Sequence, residues 1–344
     1  MMGERCGSRA TGLVIALFGP TGVGKTAVAL RLGTHFETRV ISCDSMQIYR
    51  DFSVLTNQPT PAERALVPHE LVGVAGPEEE WSAALYGERA QGLIEADIRA
   101  RGRALVVGGT GLWLRAALAP LAIPDVHDPA LREELNERGA REGAQALHRE
   151  LASLDPAAAQ RIHPSNLRRV TRALEVALTL GPGVWSARDD LWTPVYRHPT
   201  LIVGLTMERS LLYERINRRA SAMVRGGAVE EVRRHRAERR PSVAEPGAPA
   251  LRGGPCSRAA GAAGGRRGVS RAIGYREIAD YLEGRATLDH AESELAAATR
   301  RYARRQLTWM RKLGDAVIID VSERHPGDVA AEITELATRK EPAD

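Results

Sequence analysis

The sequence predicts an α/β fold, a parallel sheet core carrying a helical insertion domain. Three observations point to it. Short apolar runs alternate with helical patterns, a glycine-rich loop joins the first run to the first helix, and one long middle stretch is helical throughout. With 344 residues, 43% of them apolar, the chain can bury a full core and a subsidiary domain.

The strands are the short runs Leu13–Phe18, Arg39–Cys43, Ala104–Val107, Leu201–Leu205 and Ala316–Val321. They lack polar alternation, as expected of parallel strands covered on both faces. Helical segments such as Thr26–Leu32 and Ala83–Arg99 follow several of them. Near Ala116 the pattern changes, and it stays helical to about Arg197. Within that stretch Asp128 and Asp155 are placed to cap helices, with Pro129 and Pro156 at the first helical positions. The chain thus divides into a first core part (11–115), an insertion (116–198), a second core part (199–325) and a C-terminal helix and tail (326–344). Inside the second core part, Arg239–Gly268 is crowded with Pro, Gly and Ala and reads as a flexible loop. Lys340–Asp344 reads as a free tail.

Composition narrows the class. The formal charge is +5, and arginine far outnumbers lysine. Scattered arginines usually form a solvated surface, so only clusters carry information. Cys6, Cys43 and Cys256 form no close pair, which argues against a disulfide framework and structural zinc and for a reducing cytoplasm. The first apolar run ends in Gly-Pro-Thr-Gly, too soon for a leader, and no stretch approaches a membrane span.

Gly19, Pro20, Thr21, Gly22, Val23, Gly24, Lys25 and Thr26 fit G-x-x-x-x-G-K-[ST] between a strand and a helix. Such a loop turns backbone N–H groups onto phosphate oxygens, and the helix N-terminus adds its positive dipole end. Lys25 supplies a point charge, and the Thr26 hydroxyl is placed to hold Mg²⁺. The core is therefore P-loop NTPase-like, and the ligand is a polyphosphate of unspecified kind.

Two further elements end neighbouring strands. Asp44 closes the second strand, where a carboxylate faces the ligand crevice or caps the next helix. Gly108-Gly109-Thr110-Gly111 follows the third, where glycines admit a close backbone approach and Thr110 offers a hydroxyl. The segment Thr299–Lys312 gathers Arg300, Arg301, Arg304, Arg305, Arg311 and Lys312 within roughly 140° of a helix, with no acid among them. Ala303, Leu307, Met310 and Leu313 take the opposite side. Arg168, Arg169 and Arg172 form a second cluster, and Arg215, Arg218 and Arg219 a third. These faces suit a phosphate backbone. The residues by themselves still leave open a small-molecule kinase, a prenyltransferase acting on free adenylate, or a tRNA-binding module without catalysis.

The order of motifs resembles the bacterial tRNA dimethylallyltransferases. It runs GPTGVGKT, D-S-M-Q-I-Y (Asp44–Tyr49), V-P-H (Val67–His69), V-V-G-G-T-G-L (Val106–Leu112) and I-H-P-S-N (Ile162–Asn166). It continues with R-A-L-E-V (Arg172–Val176), A-I-G-Y-R-E (Ala272–Glu277) and R-R-Q-L-T-W-M-R (Arg304–Arg311). The resemblance implies transfer of the dimethylallyl group of dimethylallyl diphosphate to N6 of the adenosine 3′ of the tRNA anticodon (position 37), with diphosphate released. Asp44 would be the base, Thr110 would hold the amine or a bridging oxygen, and Arg219 would join the loop and Mg²⁺ on the diphosphate. Implied tRNA contacts are Asp44, Ser45, Met46, Gln47, Thr110 and Arg132. A second group is Arg168, Arg169, Val170, Thr171 and Arg172; a third is Arg271, Ala272, Ile273, Gly274, Tyr275 and Arg276. The last is Arg304, Arg305, Gln306, Leu307, Thr308, Trp309, Met310 and Arg311. The basic surfaces suggest a monomer gripping one anticodon stem-loop. Two departures stand out: Gln58 occupies the position of a family lysine, and Arg239–Gly268 is long for the family.

Overall fold

Strands with apolar side chains on both faces need helices above and below them, and the chain supplies both. The computed structural model describes residues 12–340 apart from 122–123, 125, 127, 186–192 and 240–266. The described residues form two compact units, one within 1–118 and 196–344, the other within 119–195.

The first unit is built on a sheet of β1 (Leu13–Phe18), β2 (Val40–Cys43), β3 (His69–Glu70), β4 (Arg103–Gly108), β5 (Thr200–Thr206) and β6 (Val317–Asp320). All pairings are parallel, in the order β3-β2-β4-β1-β5-β6. Five strands lie within a residue or two of the predicted runs. β3 escaped prediction because two residues show no period; it pairs His69 and Glu70 with Val40 and Ile41.

The helices are α1 (Lys25–His35), α2 (Pro61–Leu66), α3 (Ala83–Arg101) and α4 (Gly111–Leu118), then α5 (Pro129–Glu142), α6 (Ala144–Leu154), α7 (Pro156–Arg161) and α8 (Leu167–Leu180). After β5 come α9 (Arg209–Met223), α10 (Val229–Glu238), α11 (Tyr275–Leu282), α12 (Leu288–Met310) and α13 (Pro326–Lys340). Leu32 from α1, Leu17 from β1, Val203 from β5 and Ile333 from α13 meet in one core, each essentially without exposed surface. Full burial of such a side chain contributes about 1.5–3 kcal/mol.

The second unit holds α5 to α8 around Leu135, Leu147, Leu151, Val170 and Leu174. Its helix starts follow the sequence signals. Asp128 accepts from Leu131 N, Asp155 from Ala158 N, and Pro129 and Pro156 follow directly. Asn166, the last residue of I-H-P-S-N, caps α8 by accepting from Arg169 N. That motif is thus a helix start. Lys340 ends α13, and the rest of the expected tail lies outside the described residues, as do 240–266 of the expected loop, Cys6 and Cys256.

Candidate active site

The phosphate loop leaves β1 at its C-terminal end and enters α1 through Gly24. Gly22 and Gly24 have φ of 87° and 104°, a left-handed conformation that side chains resist. Gly24 caps α1 without a side-chain hydrogen bond, and the first turn of α1 contains no acid. The N–H groups at this helix start are therefore available to an anion. Val23 contributes only backbone, because its side chain is buried in the core. Lys25 Nζ donates to the carbonyls of Gly19 and Pro20 at 3.0 and 2.9 Å. Burial lowers its ammonium to about 8, with nearby Asp44 opposing that shift and Arg219 adding to it. The loop thus holds a cation whose charge a bound anion would reinforce.

Asp44 follows β2 directly. Its Oδ1 accepts from Met46 N at 3.0 Å, so it braces a turn and caps no helix. It shares a pocket with Thr21 of the phosphate loop, Arg219 of α9 and Tyr302 of α12, and Met46, Ile216, Ile273 and Leu295 form much of the apolar wall. Asp44 is the only acid among the lining residues. Arg219 comes from the i, i+4 pair Arg215–Arg219 on α9; burial lowers its pKa and Asp44 opposes this. No described carboxylate lies within ion-pair distance of it. A carboxylate and an arginine therefore face one apolar-walled pocket beside a phosphate loop.

Other protonatable groups here stay protonated. Burial pushes the Cys43 thiol up to about 12. Burial first, and the charge of Asp44 second, raise the Tyr302 phenol well above its ordinary value. Asp44 is left as the one carboxylate among the lining residues, the proton acceptor the pocket offers.

Thr110 follows β4 but is not among the residues lining this pocket. Its Oγ1 accepts from Ser45 N at 3.2 Å and lies 3.4 Å from Ser45 Oγ and 3.5 Å from Tyr302 Oη. The turn before it needs glycine, since a Cβ at Gly109 would strike the Gln306 amide. Gln306 is 2% exposed; its Oε1 accepts from Thr21 N at 2.8 Å and its Nε2 donates to Gly109 O at 2.9 Å. It is a strut between the phosphate loop and the β4 turn. Sequence reasoning missed this strut and Tyr302, because helical period alone does not reveal which polar side chain faces inward.

Several of the residues expected to contact RNA are turned inward in the structure. Gln306 and Met310 are buried on α12, and Met310 packs against Gly204. Trp309 lies over Gly111, half-buried like Leu307, while Thr308 is exposed. α12 ends at Met310, but Arg311 caps it with helical dihedrals and donates N–H to Leu307 O at 3.2 Å, so it continues the predicted arc. Ala272, Gly274 and Tyr275 are also buried, with Tyr275 Oη 2.7 Å from His235 Nδ1. Val170 and Thr171 belong to the interior of the helical unit. Arg132 and Arg172 both bind Glu175, whose side chain is fully buried; each reaches it at 2.8 Å, and Arg172 also donates to the carbonyls of Val126 and Pro124. These two arginines are internal ties. Ile273 stays with the pocket wall.

Other basic residues remain outward. Arg168, Arg169, Arg304, Arg305 and Arg311 are exposed, and no described acid pairs with Arg304 or Arg311. Arg301 lies 3.9 Å from Glu294, a long contact that departs from the expected acid-free face. Arg271 and Arg276 are exposed but lean on Glu80 at 2.9 Å and Asp280 at 3.6 Å. Arg218 pairs with Glu214 on α9.

The turn after Asp44 also explains Gln58. It is buried, and its Nε2 donates to the carbonyls of Gln47 and Tyr49 at 2.9 and 2.6 Å, while its Oε1 accepts from Arg64. Gln47 Nε2 in turn donates to Asn57 O at 2.7 Å. A neutral amide at position 58 braces the loop that carries Asp44, Ser45 and Met46.

Among the described residues no helix is long and apolar enough to cross a membrane. The chain matches the family model described as IPP transferase over residues 47–313 and that described as isopentenyl transferase over residues 12–67. It is 41% identical over 330 residues to a tRNA dimethylallyltransferase of Thermomicrobium roseum, covering 95% of this chain and 92% of that protein. Identity to the tRNA dimethylallyltransferase of Shouchella clausii is 40% over 313 residues, covering 90% and 92%. Among solved structures, it superposes on a full-length tRNA isopentenylpyrophosphate transferase of Bacillus halodurans with a TM-score of 0.65 at 34% identity, covering 96% and 97%. A eukaryotic dimethylallyltransferase acting on tRNA gives a TM-score of 0.75 at 22% identity, covering 97% of this chain and 81% of that one, a likeness of fold.

Proposed function

Because the chain belongs to the IPP transferase family, whose relatives here are tRNA dimethylallyltransferases, we propose how its own residues carry out prenyl transfer to tRNA. The enzyme is a prenyltransferase of this family with the P-loop NTPase-like fold. The acceptor in our reading is N6 of the adenosine 3′ of the anticodon, and the donor is dimethylallyl diphosphate. One observation carries the assignment of roles: Asp44, Arg219 and Thr21 of the phosphate loop line a single pocket.

An exocyclic amine is a weak nucleophile, because its lone pair is delocalised into the ring. Bond formation at C1 of the allyl chain goes with loss of an N6 proton to Asp44, and the C1–O bond breaks toward the diphosphate. No phosphoryl group moves. The open N–H groups of the loop, Lys25 and Arg219 receive the charge that builds on the departing diphosphate. Thr110, beside the pocket lining, is read as holding the amine or a bridging oxygen. The apolar wall, with Ile216, Leu295 and Met46, suits the five-carbon chain and keeps water from the allylic centre.

Mg²⁺ fits this donor set. Among the described residues no group of three or more His, Cys, Asp or Glu side chains could hold a metal, and Mg²⁺ commonly takes few protein ligands when phosphate oxygens and water complete its shell. Thr26, half-buried on the first turn of α1, would hold it. When bound it would neutralise charge on the leaving diphosphate.

Reaching N6 requires the adenosine to leave its stack, the usual route for chemistry on a base. The exposed Arg168, Arg169, Arg304, Arg305 and Arg311 support an RNA-facing role, and we read the protein as a cytoplasmic monomer. The test is acceptor choice. Purified protein, Mg²⁺ and labelled dimethylallyl diphosphate are offered unmodified tRNA, AMP, or ATP with small acceptors. Label on tRNA alone is the expected result; label on AMP, or phosphate transferred from ATP, contradicts the reading.

A further inference from the structure

Two stretches of the pocket wall belong to neither the sheet nor the phosphate loop. Leu55 and Thr56 come from the loop that follows Asp44, and Ala272 and Ile273 from the turn before α11. Both are held from outside the pocket by one helix, α10, none of whose residues lines it. Glu231 and His235 stand four residues apart on α10 and face inward, 9% and 5% exposed. Glu231 accepts from Val54 N and Leu55 N, each at 2.8 Å, and from Ser53 Oγ at 3.4 Å. His235 meets Tyr275 Oη and Glu78 Oε1, both at 2.7 Å, and its ring packs edge-on against Phe52.

Among the described residues, Val54 N and Leu55 N have no acceptor besides Glu231. Backbone N–H groups buried without an acceptor are costly, so the 53–55 turn takes the position that brings both donors to the one carboxylate. The turn runs straight into the wall. Leu55 is 2% exposed, and Thr56 Oγ1 donates back to Phe52 O at 2.7 Å. A Cβ added at Gly274 would come 2.7 Å from Leu295 and 3.0 Å from Leu55, so these wall residues converge on the start of α11 with no slack between them. Displacing the turn therefore opens the wall.

We infer that Glu231 is a positioning residue for the transfer: by fixing the 53–55 turn it keeps the Leu55–Thr56 wall closed, so that the allylic centre meets the RNA amine and not water. This rests on the prenyl transfer proposed above. Glu231 itself touches neither reactant. Hydrolysis is the competing reaction once the wall loosens. A water oxygen then bonds C1, the C1–O bond to diphosphate breaks, and the water gives up one proton to solvent, leaving the five-carbon alcohol and diphosphate. The phosphate loop, Lys25 and Arg219 lie on other elements and keep their grip on the diphosphate, so the donor still binds while its fate changes.

The test counts diphosphate released per prenyl group on tRNA, with single-turnover rate, tRNA binding and melting temperature measured alongside. Glu231→Gln leaves one acceptor oxygen and turns an NH₂ toward a backbone N–H. It should lower the transfer rate about 10- to 100-fold, with KM for the prenyl diphosphate and Kd for tRNA within about threefold of the parent. Diphosphate released per transfer should rise from about one to about two or more. A smaller folded fraction cannot produce that rise, because it lowers release and transfer together. Leu55→Ala opens the same wall from the pocket side and should raise the same ratio, which keeps the inference testable where Glu231→Gln fails to fold. A ratio that stays at one in either variant, or a parent-like rate for Glu231→Gln, overturns the inference. An unaltered protein that fails to prenylate tRNA overturns the function itself, so the two failures are distinguishable.

Discussion

The pocket beside the phosphate loop and the helical unit of residues 119–195 use arginine for opposite ends. In the pocket, Arg219 is half-buried with no described carboxylate at ion-pair distance and feels Asp44 only through space. In the helical unit, Arg132 and Arg172 converge on one buried carboxylate, Glu175. The first arrangement leaves positive charge unspent for an anionic ligand. The second spends it on holding helices together. Membership of a motif does not separate these cases; the surroundings of the guanidinium do.

The largest expected effect falls in the pocket. Asp44→Asn should slow transfer by about 10²–10⁴-fold in single-turnover kinetics, the range for loss of a general base, while tRNA binding is retained. A rate within tenfold of the parent would remove Asp44 as the base. Arg219→Gln should lower kcat/KM for the prenyl diphosphate by about 10²-fold, since it strips charge from the departing group. Glu175→Ala acts on the other side of the comparison. It leaves two arginines partly buried without their carboxylate and should cost about 3 kcal/mol in denaturant unfolding. If unfolding is unchanged, those arginines are free for RNA after all.

A pH profile sharpens the picture of the loop. Lys25 in the free protein loses its proton at about 8, so its charge is present below that pH and lost above it. The profile of kcat/KM for the prenyl diphosphate should therefore fall above about pH 8. A bound anion favours the protonated lysine, so the fall in kcat should come at higher pH. Coincident profiles, flat to pH 9.5, would contradict this. The smallest effect is at the exposed face: Arg304→Ala should weaken tRNA binding a few-fold and reduce its salt slope by about one. An unchanged slope would return that face to solvent.

Much of the scaffold was legible in the residues. The phosphate loop sits between strand and helix as its glycines require, and the proline-flanked aspartates cap the helices they precede. Asp44 was legible because a polar residue ends an apolar strand. What the helical period could not show is the inward turn of Gln306, a polar side chain buried because it bonds the backbone of both the phosphate loop and the turn after β4. The coupling of Arg132 and Arg172 through Glu175 is equally invisible along the chain, because Arg132 and Glu175 stand 43 positions apart.

The central claim is that the loop holds a leaving diphosphate while the prenyl group goes to RNA. It is tested most directly with dimethylallyl diphosphate carrying ¹⁴C in the chain and ³²P in the diphosphate, incubated with the protein and unmodified tRNA. The account predicts one equivalent of ³²P-diphosphate released for each ¹⁴C bound to tRNA, with no ³²P on the RNA. Phosphorus label on the acceptor, or diphosphate released without prenylated tRNA, would contradict it.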